Sequence, residues 1–177
     1  MQTERLVLRP FMRHDAVRLE AMGNDPEVLS RISRSEVPQP GTGEFWMENR
    51  YAWWEKGEAA DFVITLGETG ESAGIISLGM EYPGDESMRL SFWLGKDYWN
   101  NGYATEAAMA MLPFGFDNLN LHRIYARYFA SNPTAGRVLE KLYMSHEGTL
   151  REAAKQNGIF EDLVCYGILR HEFNKSE

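Results

Sequence analysis

The amino-acid sequence predicts a mixed α/β fold of the α+β kind, one domain over residues 1–177, with a mostly antiparallel sheet flanked by helices. Three observations carry that reading. Residues 61–94 hold three strand-like runs separated by turns, which pair most simply as a meander. Segments with helical spacing lie on both sides of that meander in the chain. The 177 residues show no repeat, low-complexity run or linker-like shift in composition, and the length suits one core rather than two.

Taken in order, Glu4-Arg5-Leu6-Val7-Leu8-Arg9 alternates polar and apolar and stops at Pro10, which makes it a first strand. Residues 15–22 put apolar side chains at helical spacing and end at Gly23-Asn24. Pro38, Pro40, Gly41 and Gly43 mark a loop, after which residues 44–56 return to a helical period with Phe45, Trp46, Tyr51, Trp53 and Trp54. Strands follow over 62–66, 73–82 and 88–94, with turns at Glu68-Thr69-Gly70-Glu71 and Pro83-Gly84-Asp85. Residues 102–116 read as a helix whose last turn Pro113 disturbs, and 123–130 as a strand rich in Tyr and Ile. Residues 132–143 form a helix with Asn132 as N-cap and Pro133 at its first position, and two closing strands flank the hairpin turn Asn157-Gly158.

Composition narrows the function. Hydrophobic residues are 44% and charged residues 25%, the balance of an ordinary globular protein. The longest apolar runs, at 62–66 and 73–76, fall far short of the roughly 20 residues a membrane span needs. No apolar signal-peptide core follows Met1, so a cytoplasmic location is expected, and the glycosylation pattern Asn174-Lys175-Ser176 carries no weight. The single Cys165 excludes an internal disulfide framework, and His14, His122, His146 and His171 show no ligand spacing, so no metal is expected. A net charge of −8 disfavours nucleic acid as the main ligand and favours cationic partners.

The segment Trp93-Leu94-Gly95-Lys96-Asp97-Tyr98-Trp99-Asn100-Asn101-Gly102-Tyr103-Ala104-Thr105-Glu106-Ala107 passes from a strand through a small polar loop into a helix. Such a junction gathers backbone N–H groups at the positive end of a helix, which suits a phosphate. An ordinary strand-to-helix connection with a glycine near the cap accounts for the same residues. Downstream, Asn132 either caps its helix or turns its amide towards a ligand.

Taken together, these segments resemble the RimJ/RimL-type N-acetyltransferases of the GNAT superfamily. Thr3 to Pro10 with Asp15-Ala16 is similar to the opening of that group, Tyr98 to Ala107 to its acetyl-CoA pyrophosphate loop, and Leu121-His122-Arg123-Ile124-Tyr125-Ala126 and residues 132–142 to the strand and helix that follow. The four matches occur in one order from Thr3 to about Phe173. The resemblance implies a GNAT-like fold in which the fourth strand and the strand after the phosphate loop splay apart around pantetheine. It implies that Phe92, Trp93 and Leu94 offer backbone groups to the pantetheine arm, and that Asn100, Asn101, Gly102, Tyr103, Ala104 and Thr105 bind the pyrophosphate. Asn132 then contacts pantetheine or a water near the thioester, and Arg137 lies near the nucleotide. A homodimer is expected by analogy.

The implied activity is acetyl transfer from acetyl-CoA to a primary amine, by direct attack in a ternary complex. The acceptor is a protein N-terminus, such as that of a ribosomal protein, or a small amine, with the acidic charge favouring a cationic one. Such a reaction needs a neutral amine, a polarised carbonyl and a stabilised thiolate. Glu81, at the end of the third strand, is the candidate base, or a solvated turn-edge glutamate. Tyr143 and Tyr166 are candidate donors to the thiolate, or surface-tipped core tyrosines. Trp46, Tyr51, Trp53 and Trp54 could wall the acceptor pocket, or belong to the core. Trp99 stands where Gln or Arg is common in the wider superfamily, as is usual in the RimJ/RimL branch, and the sequence departs from relatives at Ala135, where RimJ/RimL-like members often have a serine, and at Leu139, where some other GNAT members have a tyrosine. Those last two departures motivate the alternative of an acyl-CoA-binding module that has lost catalysis.

Overall fold

The computed structural model describes residues 1–82, 84–156 and 158–173. The predicted features at Pro83, Asn157 and Asn174-Lys175-Ser176 therefore lie in part or whole outside the described residues. The described strands are β1 (Leu6–Arg9), β2 (Ala59–Leu66), β3 (Ser72–Met80), β4 (Ser87–Leu94), β5 (Arg123–Phe129), β6 (Ser145–Gln156) and β7 (Ile159–Leu169). They form one sheet in the order β1-β2-β3-β4-β5-β7-β6. All neighbours pair antiparallel except β4 and β5. Around the sheet lie α1 (Asp15–Gly23), α2 (Pro26–Leu29), α3 (Gly43–Glu55), α4 (Tyr103–Pro113), α5 (Pro133–Lys141) and α6 (Arg170–Phe173).

Side-chain alternation builds a core on each face of the sheet. Val63, Ile75 and Trp93 face one way and pack under Phe11, Leu19, Val28 and Met47 from the α1–α3 region. Phe62, Ile64, Ile76, Leu78 and Ile124 face the other way and pack under Ala108, Met111 and Phe116. Because both faces are covered, β2 and β3 read as near-continuous apolar runs rather than half-buried strands.

Four local features differ from, or refine, the sequence reading. Helix α2 was not anticipated, although Asp25 accepts from the Glu27 N–H at 2.7 Å and Pro26 opens the turn, both standard start signals. Pro113 is the last residue of α4, and the chain continues from it into one π-helical turn, Phe114–Asn118, so that the predicted helix over 102–116 changes its hydrogen-bond period after the proline. Asn132 stands at the cap position of α5, but its side chain makes no capping bond. The third predicted strand stops at Met80, so Glu81 and Tyr82 lie beyond it.

The parallel pairing of β4 with β5 is confined to Ser87, Met88 and Arg89 against Arg123, Ile124 and Tyr125. Beyond that point β4 stays bonded to β3 as far as Leu94, and β5 to β7 as far as Phe129. The two strands therefore splay, and a cleft opens between their facing edges.

Candidate active site

The cleft has a volume of about 700 Å³. The alternation of the β3–β4 ladder decides which backbone groups face it. Gly95 donates its N–H to the Ala73 carbonyl at 2.9 Å, and the same register pairs Trp93 with Ile75. In an antiparallel ladder the N–H and C=O of alternate residues point the same way. Those of Trp93 are thus committed to β3, whereas those of Phe92 and Leu94 point to the open edge. The expectation that all three residues offer backbone groups narrows to two. The Leu94 carbonyl accepts from the Trp99 indole N–H at 2.9 Å, which leaves the Leu94 N–H and both backbone groups of Phe92 facing the cleft. Trp93 is held elsewhere by its side chain, whose indole donates to the Glu36 carbonyl at 3.0 Å.

At the head of α4 the chain turns through Asn100, at φ 62°, and Gly102, at φ 80°. Asparagine and glycine are the residues that tolerate this left-handed region best. The turn stacks successive N–H groups at the end of an 11-residue helix. The first α4 bond is from the Glu106 N–H to the Gly102 carbonyl, at 3.0 Å. Among the described residues, the N–H groups of Asn100, Asn101, Gly102, Tyr103, Ala104 and Thr105 donate to no protein acceptor. Asn100, Gly102, Tyr103, Ala104 and Thr105 line the cleft, and the Asn101 side chain does not. Asn101 instead donates its amide to the Trp99 carbonyl and accepts at its own carbonyl from Arg5 Nη1 at 2.9 Å.

Glu106 fixes this loop to the N-terminal segment. Its Oε1 accepts from Thr3 Oγ1 at 2.6 Å and from the Arg5 N–H at 2.7 Å, and its Oε2 from Arg5 Nε at 2.7 Å. Burial pushes this carboxyl upward, but the bonds from Thr3 and Arg5 outweigh it and hold it below the ordinary range.

Asn132 and Arg137 line the same cleft from α5. The Asn132 amide donates to the Arg31 carbonyl at 3.3 Å, while its Oδ1 is buried without a partner. A buried orphan acceptor is costly, so this oxygen is an opening for a donor. Arg137 donates to Thr134 Oγ1 at 3.1 Å.

The three residues that the sequence offers as catalytic candidates lie outside the lining of this cleft. Tyr143 is 68% exposed in left-handed backbone just past α5, and it lines no part of the cleft. Tyr166 is buried beside Tyr128 and Glu140, and burial raises its hydroxyl above the ordinary range. Glu81 lines a separate cavity of about 320 Å³ and is gripped by the Arg127 guanidinium, with Arg89 Nε at 3.6 Å. Arg89 also holds Glu36, Nη2 to Oε1 at 2.8 Å, so an ion chain from Glu36 through Arg89 and Glu81 to Arg127 edges the cleft. Tyr125 stands beside Glu81; burial first, and that carboxylate next, push its hydroxyl up to about 12.

The aromatic residues of α3 do not wall the cleft. Trp46 meets Phe11 edge to face at 5.8 Å, and Trp46 and Trp53 sandwich Arg50, which lies 3.4 Å from the buried Asp61. The wall comes instead from the segment around Val28, Arg31, Ser33 and Glu36. That segment has no periodicity for sequence reasoning to detect. Tyr128 also lines the cleft and went unnoticed, although strand alternation puts it on the face of Ile124 and Ala126.

The comparisons with known proteins agree with this geometry. Residues 5–145 match the acetyltransferase (GNAT) domain model. The chain is 28% identical over 173 residues to an uncharacterized N-acetyltransferase, p20, of Bacillus licheniformis, covering 98% of this chain and 97% of that one. It superposes with a TM-score of 0.82 and 29% identity on a GNAT-family acetyltransferase of Bacillus anthracis, covering 97% and 99% of the two chains. With a spermidine N-acetyltransferase of Vibrio cholerae in complex with CoA and spermine, the TM-score is 0.82 at 22% identity over 96% and 98%. With a splayed sheet, a loop of free N–H groups and a domain match over most of its length, the chain belongs to the GNAT family of acetyl-CoA-dependent N-acetyltransferases.

Proposed function

We propose that the chain transfers acetyl from acetyl-CoA to a cationic primary amine, a polyamine or a protein N-terminus, by direct attack in a ternary complex. The observation that carries this reading is the row of unpaired N–H groups at the head of α4, opening directly onto the splay between β4 and β5. The spermidine enzyme among the solved relatives supports a polyamine as one acceptor class. In this reading the diphosphate lies on the N–H groups of Asn100, Asn101, Gly102, Tyr103, Ala104 and Thr105. Phe92 takes the pantetheine amides, and Asn132 Oδ1 accepts from a pantetheine N–H or a bound water. Arg137 sits towards the nucleotide.

Polarisation of the thioester carbonyl falls to the Leu94 N–H, a donor fixed on the open edge of β4. The amine enters along the wall formed by Ser33 and Glu36, gives one proton to solvent water before attack, and gives a second, once the C–N bond has formed and the C–S bond breaks, to the departing thiolate. We assign the ion chain of Glu36, Arg89, Glu81 and Arg127 to shaping that entrance, because each carboxylate in it is already paired. The thiolate departs towards Tyr128, a hydroxyl on the β5 side of the cleft, since Ala135 and Leu139 carry none.

Thiol release from acetyl-CoA, followed over spermidine, N-terminal peptides and amino-acid amines, tests this function. Release with at least one cationic acceptor is expected. Tight CoA binding with no release on any amine would instead favour the non-catalytic binding module, to which the absent hydroxyls at Ala135 and Leu139 point.

A further inference from the structure

The phosphate loop carries no cation of its own between Trp99 and Thr105, and Arg5 beside it is spent on Glu106. A diphosphate bound there by backbone groups alone keeps much of its charge uncompensated. A guanidinium does stand at this place, delivered by a different part of the chain. Arg31, two residues after α2, lies over the Trp99 ring with its Cζ 4.5 Å from the ring centre. It lines the cleft, and its Nε is buried with no partner. Among the described residues Arg31 makes no ion pair. Glu36, the carboxylate among the residues lining the cleft, is engaged by Arg89.

The backbone around Arg31 is pinned from two sides. Asn132 donates to the Arg31 carbonyl, and Gln156 donates to the carbonyls of Leu29 and Ile32, the latter at 3.0 Å. The segment therefore crosses the mouth of the splay from α2 to the tip of the β6–β7 hairpin. A partly buried, unpaired guanidinium held this way is unfavourable unless an anion meets it, and its planar fork suits phosphate.

We propose that Arg31 is the cation for the coenzyme's diphosphate, supplied by the acceptor-side segment in place of a basic residue in the loop. The proposal rests on reading the cleft as a coenzyme site. Stacking on Trp99 replaces the side chain that a basic loop residue would contribute, and it holds the charge over the residue that precedes the row of free N–H groups. One consequence is that coenzyme loading and the acceptor wall are coupled, because the residue that meets the diphosphate belongs to that wall.

The test compares wild type with Arg31→Met, which keeps an apolar stem against Trp99, and Arg31→Lys, which keeps the charge. Calorimetry gives the CoA Kd, inhibition gives the affinity for pantetheine, which lacks the diphosphate, and steady-state kinetics give the acceptor KM. Arg31→Met is expected to weaken CoA about tenfold to a hundredfold, the worth of a charge-assisted bond. Pantetheine inhibition should stay within about twofold on the same scale, and Arg31→Lys should recover part of the loss. Equal weakening of CoA and pantetheine, or a rise in acceptor KM with the CoA Kd unchanged, overturns the proposal, the second by making Arg31 a contact for an acceptor carboxylate. Failure of the wild type to bind CoA would overturn the coenzyme reading itself.

Discussion

Asp15 and Glu106 are carboxylates that fix the N-terminal segment, and their pH behaviour follows from their partners. Burial pushes Asp15 upward, but Arg9, the Ser72 hydroxyl and the Met12 N–H bind its charged form and bring it below the ordinary range. A group with a lowered folded pKa stabilises the fold above its unfolded value of about 3.9 and loses that contribution as the pH falls through the folded value. Asp15→Asn should therefore cost about 3 kcal/mol near neutrality, and the gap to wild type should close in denaturant titrations below about pH 4. Glu81 makes a different prediction. Because Arg127 and Arg89 hold it, Glu81→Gln should lower kcat/KM less than about tenfold and leave the pH profile in place. A lost acid limb would make Glu81 the base after all.

Among the elements, β4 matters most, because one edge carries the sheet and the other carries the cleft. Gly74 on β3 lies against it so closely that an added Cβ would come 2.1 Å from the Trp93 carbonyl and 2.8 Å from the Leu94 Cα. Both atoms are backbone, so the strand itself must move. Gly74→Ala should cost about 2–3 kcal/mol in unfolding and weaken CoA binding, whereas Gly79→Ala, where a Cβ meets open space, should do neither. The element order was legible because long periodic segments declare themselves, as in α3 and the β2–β4 meander. What escaped was short or relational. Helix α2 is one turn long, the backbone direction of Trp93 depends on register with Ile75, and Tyr143 left the cleft because the chain turns left-handed where its helix ends. The loop at Gly102 was legible as residues, but its six free N–H groups become countable only once the helix start is fixed.

For the molecule as a whole, the cleft is a product of sheet geometry. Three residue pairs hold β4 to β5, and the strands then part with their outer edges still bonded, so the opening is stiff. Into it converge the head of α4, the start of α5 and the wall that carries Arg31, elements far apart in sequence. The most direct test of this account is the affinity for CoA, by calorimetry, of wild type against Gly102→Asp. Aspartate is strained at this left-handed position, as asparagine is, but it alone sets a negative charge among the N–H groups meant for the diphosphate. The account predicts a loss of at least about a hundredfold, with an unfolding midpoint no lower than that of the uncharged Gly102→Asn. An unchanged Kd would contradict it.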